Sequence, residues 1–363
     1  MLFMDSDSKA LLLSLSRYLR PAISLPPRGV GEPISETLAT FADNRHRVGP
    51  LLHMAMQNCA DITATGPAAT LLELACQKNL IASLKQKAAE QRISKLLKDH
   101  SIPFTVLKGR GLAQQLHDNS AVRRSKDIDI LISPDRSRQA IAMMNQQGYI
   151  YKSATLKRTE IPQSIRQKME LKRFKDITFI DPAVSVPIEL HQRLFKFEPR
   201  DLTGDFNNSV QFDAQPSLSN SFYCLYLVLH GSLAMWPRLK WVVDLSIVAR
   251  YMPADNRLEM LSIAATYGCD TAVAASLLMT EQVFPDSLDD GWQQILKPYM
   301  KARNTAELKD LFFETLTADT NGRPNLPWKS SLLSGSADII FSGKIGLMDS
   351  TRARVLNSVF ARI

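Results

Sequence analysis

The sequence has few cysteines and no long apolar run. No uninterrupted hydrophobic stretch in its 363 residues reaches the about 18 residues that a membrane-spanning helix requires. The first residues, MLFMDSDSK, lack the basic and apolar regions of a secretory signal. Its four cysteines, with no Cys-x-x-Cys pair and no zinc-ligand spacing, are Cys59, Cys76, Cys224 and Cys269. We therefore expect a cytoplasmic protein with reduced, buried thiols and no membrane partner.

Features typical of nucleic-acid-binding modules are scarce too. The sequence has no recognised nucleic-acid motif and no alternation of basic with aromatic residues. The net charge of +8 and the pI of about 9.3 favour anionic partners such as nucleotides, without naming one. Lysine and arginine are concentrated in residues 152–175, which form either a solvated face or a cationic wall beside an anionic ligand.

The most informative stretch runs from Phe104 to Ile132, and its pattern predicts a strand, a glycine turn, a short helix and a second strand. The first strand ends at Lys108-Gly109-Arg110-Gly111, where glycine permits a tight turn and close approach of a ligand to the backbone. Residues 112–116 then predict a helix. Its free N–H groups would face the turn, which is a suitable place for phosphate.

Two aspartates lie on the second strand of this stretch. Strict alternation puts the isoleucines at 128, 130 and 132 on one face of the strand. Asp127 and Asp129 share the other face, with side chains roughly 6–7 Å apart. Such a pair can bind the magnesium of a nucleotide through oxygen ligands. The alternative is an edge strand with a solvated acidic face.

Two further strands are predicted downstream, at residues 176–180 and 184–191. They are joined through Asp181-Pro182, which favours a pair of adjacent strands. In the second strand, alternation puts Glu189 and His191 on the face opposite Ile188 and Leu190.

These motifs resemble the polymerase-β-type nucleotidyltransferase superfamily, and more closely a bacterial family of uncharacterised nucleotidyltransferases. The matching segments are Leu107-Lys108-Gly109, Arg123, Asp127-Ile128-Asp129-Ile130-Leu131, Gly148-Tyr149 and Ile188-Glu189-Leu190-His191. The resemblance covers roughly residues 46–285. The superfamily usually has Gly-Ser at the turn, whereas this sequence has Gly109-Arg110-Gly111.

The resemblance implies an α+β fold with a small mixed β-sheet. We expect an N-terminal helical region at residues 1–100, the nucleotidyltransferase core at 101–200, and a C-terminal helical domain and tail at 201–363. The implied reaction moves a nucleoside monophosphate from an NTP, ATP among the candidates, to a hydroxyl acceptor and releases pyrophosphate. The acceptor is a small molecule, a peptide or protein, or an RNA end.

The resemblance also implies roles for individual residues. Asp127, Asp129 and Glu189 are the expected catalytic ligands of two Mg²⁺ ions, with Mn²⁺ as an alternative. The expected phosphate-binding residues are Lys108, Gly109, Arg110, Gly111, Arg123 and Lys240. Arg123 has a second interpretation, an ion pair with the aspartates that stabilises their loop.

Two other classes of function stay open. The missing turn serine suggests a catalytically silent relative that binds NTP and regulates a partner. The basic composition suggests a nucleic-acid-binding module without chemistry, although no motif supports it.

Overall fold

The computed structural model describes residues 6–152, 175–196, 198–199 and 201–318. Residues 153–174, which make up most of the basic run, therefore lie outside the described residues. The chain beyond residue 318 lies outside them too. The chain forms two compact units, one of residues 77–220 and the other combining residues 1–76 with residues 221–363. The division into three consecutive regions stays a prediction.

Helices make up most of the described chain. They are α1 (Ser6–Leu19), α2 (Glu36–Thr40), α3 (Gly49–Asn58), α4 (Gly66–Asp99), α5 (Arg110–His117), α6 (Ser137–Gln146), α7 (Leu202–Ser209), α8 (Ser221–Leu233), α9 (Leu239–Tyr251), α10 (Ala254–Thr266), α11 (Asp270–Val283), α12 (Asp290–Met300) and α13 (Arg303–Thr317). Short 3-10 turns lie at Arg20–Ile23 and Pro134–Arg136, and a π-helical turn at Phe41–Arg45. Within the part of the chain described, none of the helices has the length and apolar character that a membrane crossing requires.

A five-stranded mixed sheet forms the centre of the unit at residues 77–220. Its strands are β1 (Phe104–Lys108), β2 (Ile128–Ile132), β3 (Ile150–Tyr151), β4 (Asp176–Ile180) and β5 (Pro187–His191). Their order is β1-β2-β5-β4-β3, with β2 and β5 parallel and the other neighbours antiparallel. The sheet and its surrounding helices confirm the predicted α+β fold.

One face of this sheet is packed into an apolar core. The alternating residues Ile128 and Ile130 of β2 and Ile188 of β5 are buried with Ile93 of α4 and Met144 of α6. Because successive side chains of a strand point to opposite faces, the residues between them lie on the other face of the sheet. This second face carries the polar residues described below.

The other unit joins segments from the two ends of the chain. The buried Arg45 donates hydrogen bonds to the carbonyl oxygens of Pro237 and, at 3.1 Å, Ala318. Next to it, His46 Nδ1 accepts a hydrogen bond of 3.1 Å from the backbone N–H of Leu239. These contacts satisfy buried polar groups between segments that are 192, 193 and 273 residues apart in the sequence.

The four cysteines are free thiols, but the expected burial holds only for Cys224 and Cys269, because Cys59 and Cys76 are half-buried. Cys224 and Cys269 are buried, and burial raises the pKa of each thiol to about 12. Both are therefore protonated at neutral pH.

Candidate functional site

Strand register brings the acidic residues of the second sheet face together. Asp129 of β2 lies directly beside Glu189 in the parallel pair with β5, and opposite Lys108 in the antiparallel pair with β1. On the far side of β5, Asp176 of β4 lies opposite His191. Because Glu189 and His191 are two residues apart on one strand, they point to the same face. The predicted strands are confirmed, except that β5 begins at Pro187 and not at residue 184, because Ser185 has a left-handed backbone conformation with φ +57. Their register assembles a polar cluster.

Asp129 is the most enclosed carboxylate of this cluster, with 1% of its surface exposed. Its Oδ1 atom accepts from the Lys108 ammonium at 2.6 Å and lies 3.0 Å from His191 Nε2. No atom of the described residues donates a hydrogen bond to its buried Oδ2. Since β2 lies between two other strands, the alternative of a solvated edge strand is wrong.

Two opposing effects set the charge of Asp129. Burial by itself raises the pKa of the carboxyl group, because a charged group loses its hydration. The ammonium of Lys108 and the imidazole of His191 outweigh burial and hold the pKa of Asp129 well below its usual range. The buried carboxylate is therefore ionised at neutral pH, and its Oδ2 atom accepts no hydrogen bond from the described residues.

His191 was not assigned a role from the sequence, yet it stands among three carboxylates. Its Nε2 lies 3.5 Å from Glu189 Oε2, in addition to the contact with Asp129. Its Nδ1 lies 3.8 Å from Asp176 Oδ2, which also contacts Lys175 Nζ at 3.2 Å. Alternation had already put His191 on the face of Glu189, but its burial, with 1% exposed, depends on strands distant in sequence.

The donor atoms of this cluster fit a divalent cation. Among the described residues, Asp129, Glu189 and His191 each offer one ligand atom, all within 4.8 Å of one another. The open, buried Oδ2 of Asp129 adds an acceptor that a cation would satisfy. Asp127, just before β2 and half-buried, is not one of these three residues.

The glycine turn connects β1 directly to α5. Gly109 has φ +117 and ψ −129, a conformation that favours glycine, and α5 begins at the next residue. A Cβ atom on Gly111 would come within 2.8 Å of Gln215 Oε1, so this position is closely packed. Arg110 Nη2 lies 3.6 Å from Glu90 Oε1. Burial raises the pKa of Glu90, and Arg110 opposes that shift.

The remaining predicted residues lie in different surroundings. Arg123 is buried, with 5% of its surface exposed. Lys240 belongs to α9 in the other unit, where it is also buried and its ammonium lies 5.8 Å from the centre of the Trp241 ring. The structure therefore brings Lys108, Asp129 and Glu189 together, with the glycine turn directly after Lys108.

Comparison with known proteins agrees with these motifs. The model of a family described as uncharacterised nucleotidyltransferase matches residues 36–285, a range that includes the whole sheet and the turn. The search of the curated proteins gave no match, and the search of the solved structures gave none.

Proposed function

This chain belongs to the uncharacterised nucleotidyltransferase family, and from that membership we propose that it transfers a nucleoside monophosphate from an NTP to a hydroxyl acceptor and releases pyrophosphate. The acceptor is a small molecule, a peptide or protein, or an RNA end. The observation that carries the proposal is the strand register. It puts Glu189 of β5 beside Asp129 of β2, and Asp129 opposite Lys108, the last residue of β1 before the glycine turn.

A divalent cation is part of the proposed reaction. Asp127, Asp129 and Glu189 would hold two Mg²⁺ ions, or Mn²⁺, which when bound neutralise the triphosphate and lower the pKa of the acceptor hydroxyl. The open oxygen of Asp129 and the side-by-side position of Glu189 support this role. Asp127 directly precedes β2 and is half-buried, and its role as a ligand rests on the family resemblance.

The turn after β1 would bind the phosphates. Gly109 carries no side chain at the start of α5, so backbone N–H groups of the first helical turn can approach an anion. Lys108 and Arg110 bring positive charge to both ends of Gly109, and Arg123 would add to it. We propose a phosphate contact for Lys240 as well, on the basis of the family resemblance alone.

The proposal is tested first by binding. Calorimetry with each of the four NTPs, with and without Mg²⁺, should give magnesium-dependent binding of at least one NTP. Release of labelled pyrophosphate in the presence of cell extract, as a source of acceptors, then reports transfer. The absence of binding by all four NTPs in Mg²⁺ and in Mn²⁺ would refute the assignment.

A catalytically silent, NTP-binding regulator is the second candidate. It is favoured by Arg110, which occupies the place of the superfamily's turn serine and faces Glu90 at 3.6 Å. This candidate predicts tight magnesium–NTP binding with no transfer to any acceptor.

A further inference from the structure

We propose that Asp129, Glu189 and His191 together form a cation site that prefers a divalent transition metal such as Mn²⁺ to Mg²⁺. The site is the acidic face used in the proposed function, and the inference rests on that function for its biological purpose. Metal binding can be measured without nucleotide, however, so the two can fail separately.

The distances within the cluster match those around one metal ion. Ligand atoms held at bond lengths of about 2.0–2.2 Å are about 3.0 Å apart when they subtend 90°, and about 3.4 Å apart at a tetrahedral angle. His191 Nε2 lies 3.0 Å from Asp129 Oδ1 and 3.5 Å from Glu189 Oε2. These two distances suit ligands of a single ion, and all three ligand atoms lie within 4.8 Å of one another.

The second nitrogen of His191 supports metal binding through Nε2. A metal-bound histidine usually donates its other N–H to a carboxylate, which orients the ring. His191 Nδ1 is buried, no described residue forms a hydrogen bond with it, and Asp176 Oδ2 is 3.8 Å away. A shift of about 0.8 Å would complete the carboxylate–histidine–metal arrangement, since a hydrogen bond needs about 3 Å.

Asp129 provides a second, independent indication of a cation site. Its Oδ2 is an ionised, buried oxygen without a hydrogen-bond partner among the described residues, although burial of such an atom is costly. Lys108 occupies Oδ1 alone, at 2.6 Å. Because Oδ1 already contacts both Lys108 and His191, a cation binds Asp129 through Oδ2 of the same carboxylate while the ion pair with Lys108 persists.

The preference follows from the nitrogen ligand. Mg²⁺ is bound almost entirely through oxygen, and it gives up its water reluctantly. Imidazole suits transition ions such as zinc, copper, iron and nickel, and carboxylates suit Mn²⁺, so the site offers Mn²⁺ two carboxylate ligands and a nitrogen ligand that Mg²⁺ seldom uses. Binding through Nε2 requires the neutral tautomer that carries its hydrogen on Nδ1, where Asp176 Oδ2 is the nearest carboxylate oxygen.

The experiment compares metal binding by the full-length chain in the absence of nucleotide. We expect Mn²⁺, followed by electron paramagnetic resonance, to bind at least about ten-fold more tightly than Mg²⁺, measured by competition. His191→Gln should reduce the difference to within about three-fold, and the control His100→Gln, at a half-buried histidine of the same unit, should leave it unchanged.

A measurement on the unmodified protein keeps the proposal testable if His191→Gln does not fold. Pulsed electron paramagnetic resonance of bound Mn²⁺ should detect coupling to an imidazole nitrogen. Bound Mn²⁺ without nitrogen coupling, equal affinities for the two ions, or no binding of Mn²⁺ would each overturn the proposal. Nitrogen-coupled Mn²⁺ in a protein that transfers nothing would support the metal site and contradict the proposed function.

Discussion

At the scale of single residues, the charge of Asp129 is balanced inside the protein by Lys108 and His191. Two neighbouring aspartates considered alone suggest like-charge repulsion, so that an amide at either position would hold or raise stability. The observed contacts reverse that expectation for Asp129. The carboxylate is the buried partner of an ammonium, and removing one partner leaves the other unpaired.

We therefore predict that Asp129→Asn lowers the free energy of unfolding by up to about 3–5 kcal/mol, measured by urea denaturation at neutral pH. The control is Asp99→Asn, which breaks the exposed pair with Lys95 on α4 and should cost less than about 1 kcal/mol. Equal stability losses in the two variants would show that the buried ion pair contributes no more to stability than the exposed one.

At the scale of elements, the connection from β1 to α5 depends on one backbone conformation. Gly109 has a φ of +117, while a Cβ at this position would meet no atom closer than 3.8 Å. The constraint is therefore backbone strain and not steric overlap. Such a backbone conformation costs a residue with a side chain about 1–3 kcal/mol.

We predict that Gly109→Ala destabilises the protein by about 1–3 kcal/mol and weakens NTP binding, because the turn that presents the N–H groups of α5 shifts. Gly204→Ala, within α7 of the same unit and with open space around the new Cβ, should hold or raise stability. Arg110→Ala should affect NTP binding less than Gly109→Ala. Calorimetry measures the NTP affinity of all three variants. If Gly109→Ala bound NTP as tightly as the unmodified protein, the turn would not be part of the binding site.

The elements show which parts of the site were predictable from local pattern. Alternation and glycine were enough to identify β1, the turn and β2, since these signals act within a few residues. The position of Glu189 beside Asp129 could not be predicted from local pattern. The register of these parallel strands is set by packing between residues that are 60 positions apart in the sequence. For the same reason the burial of His191 escaped prediction.

At the scale of the whole molecule, one of the two compact units combines residues from both ends of the chain. The helices near its start share a unit with those after residue 220, through buried contacts such as His46 with Leu239. Such pairing between distant segments leaves no trace in composition or periodicity. Nothing in the local sequence around His46 indicates that its ring accepts a backbone hydrogen bond.

His46 makes this unit sensitive to acid. Burial, followed by the nearby positive charges of Arg45 and Arg238, holds the pKa of His46 well below its usual 6.5. Below about pH 6.5 the unfolded chain binds a proton at His46 that the folded state does not bind. The free energy of unfolding therefore keeps the full contribution of His46 above that pH and decreases as the pH falls.

We predict that the free energy of unfolding decreases by up to about 1.4 kcal/mol per pH unit below about pH 6.5 because of His46. Chemical denaturation at pH 7.5, 6.5 and 5.5 measures this slope, and His46→Gln should make it shallower. The same slope in both proteins would mean that His46 is not the group responsible.

The central claim is that the acidic face catalyses nucleotidyl transfer, and Glu189→Gln tests it most directly. Glu189 is about one quarter exposed, at 27%, and its contact with His191 Nε2, at 3.5 Å, is longer than the 2.6 Å ion pair of Asp129 with Lys108. We expect the variant to bind magnesium–NTP within a few-fold of the unmodified protein but to release labelled pyrophosphate on the order of a hundred-fold more slowly. Glu73→Gln, at an exposed glutamate of α4, is the control and should transfer normally. Transfer by Glu189→Gln at the unmodified rate would contradict the account.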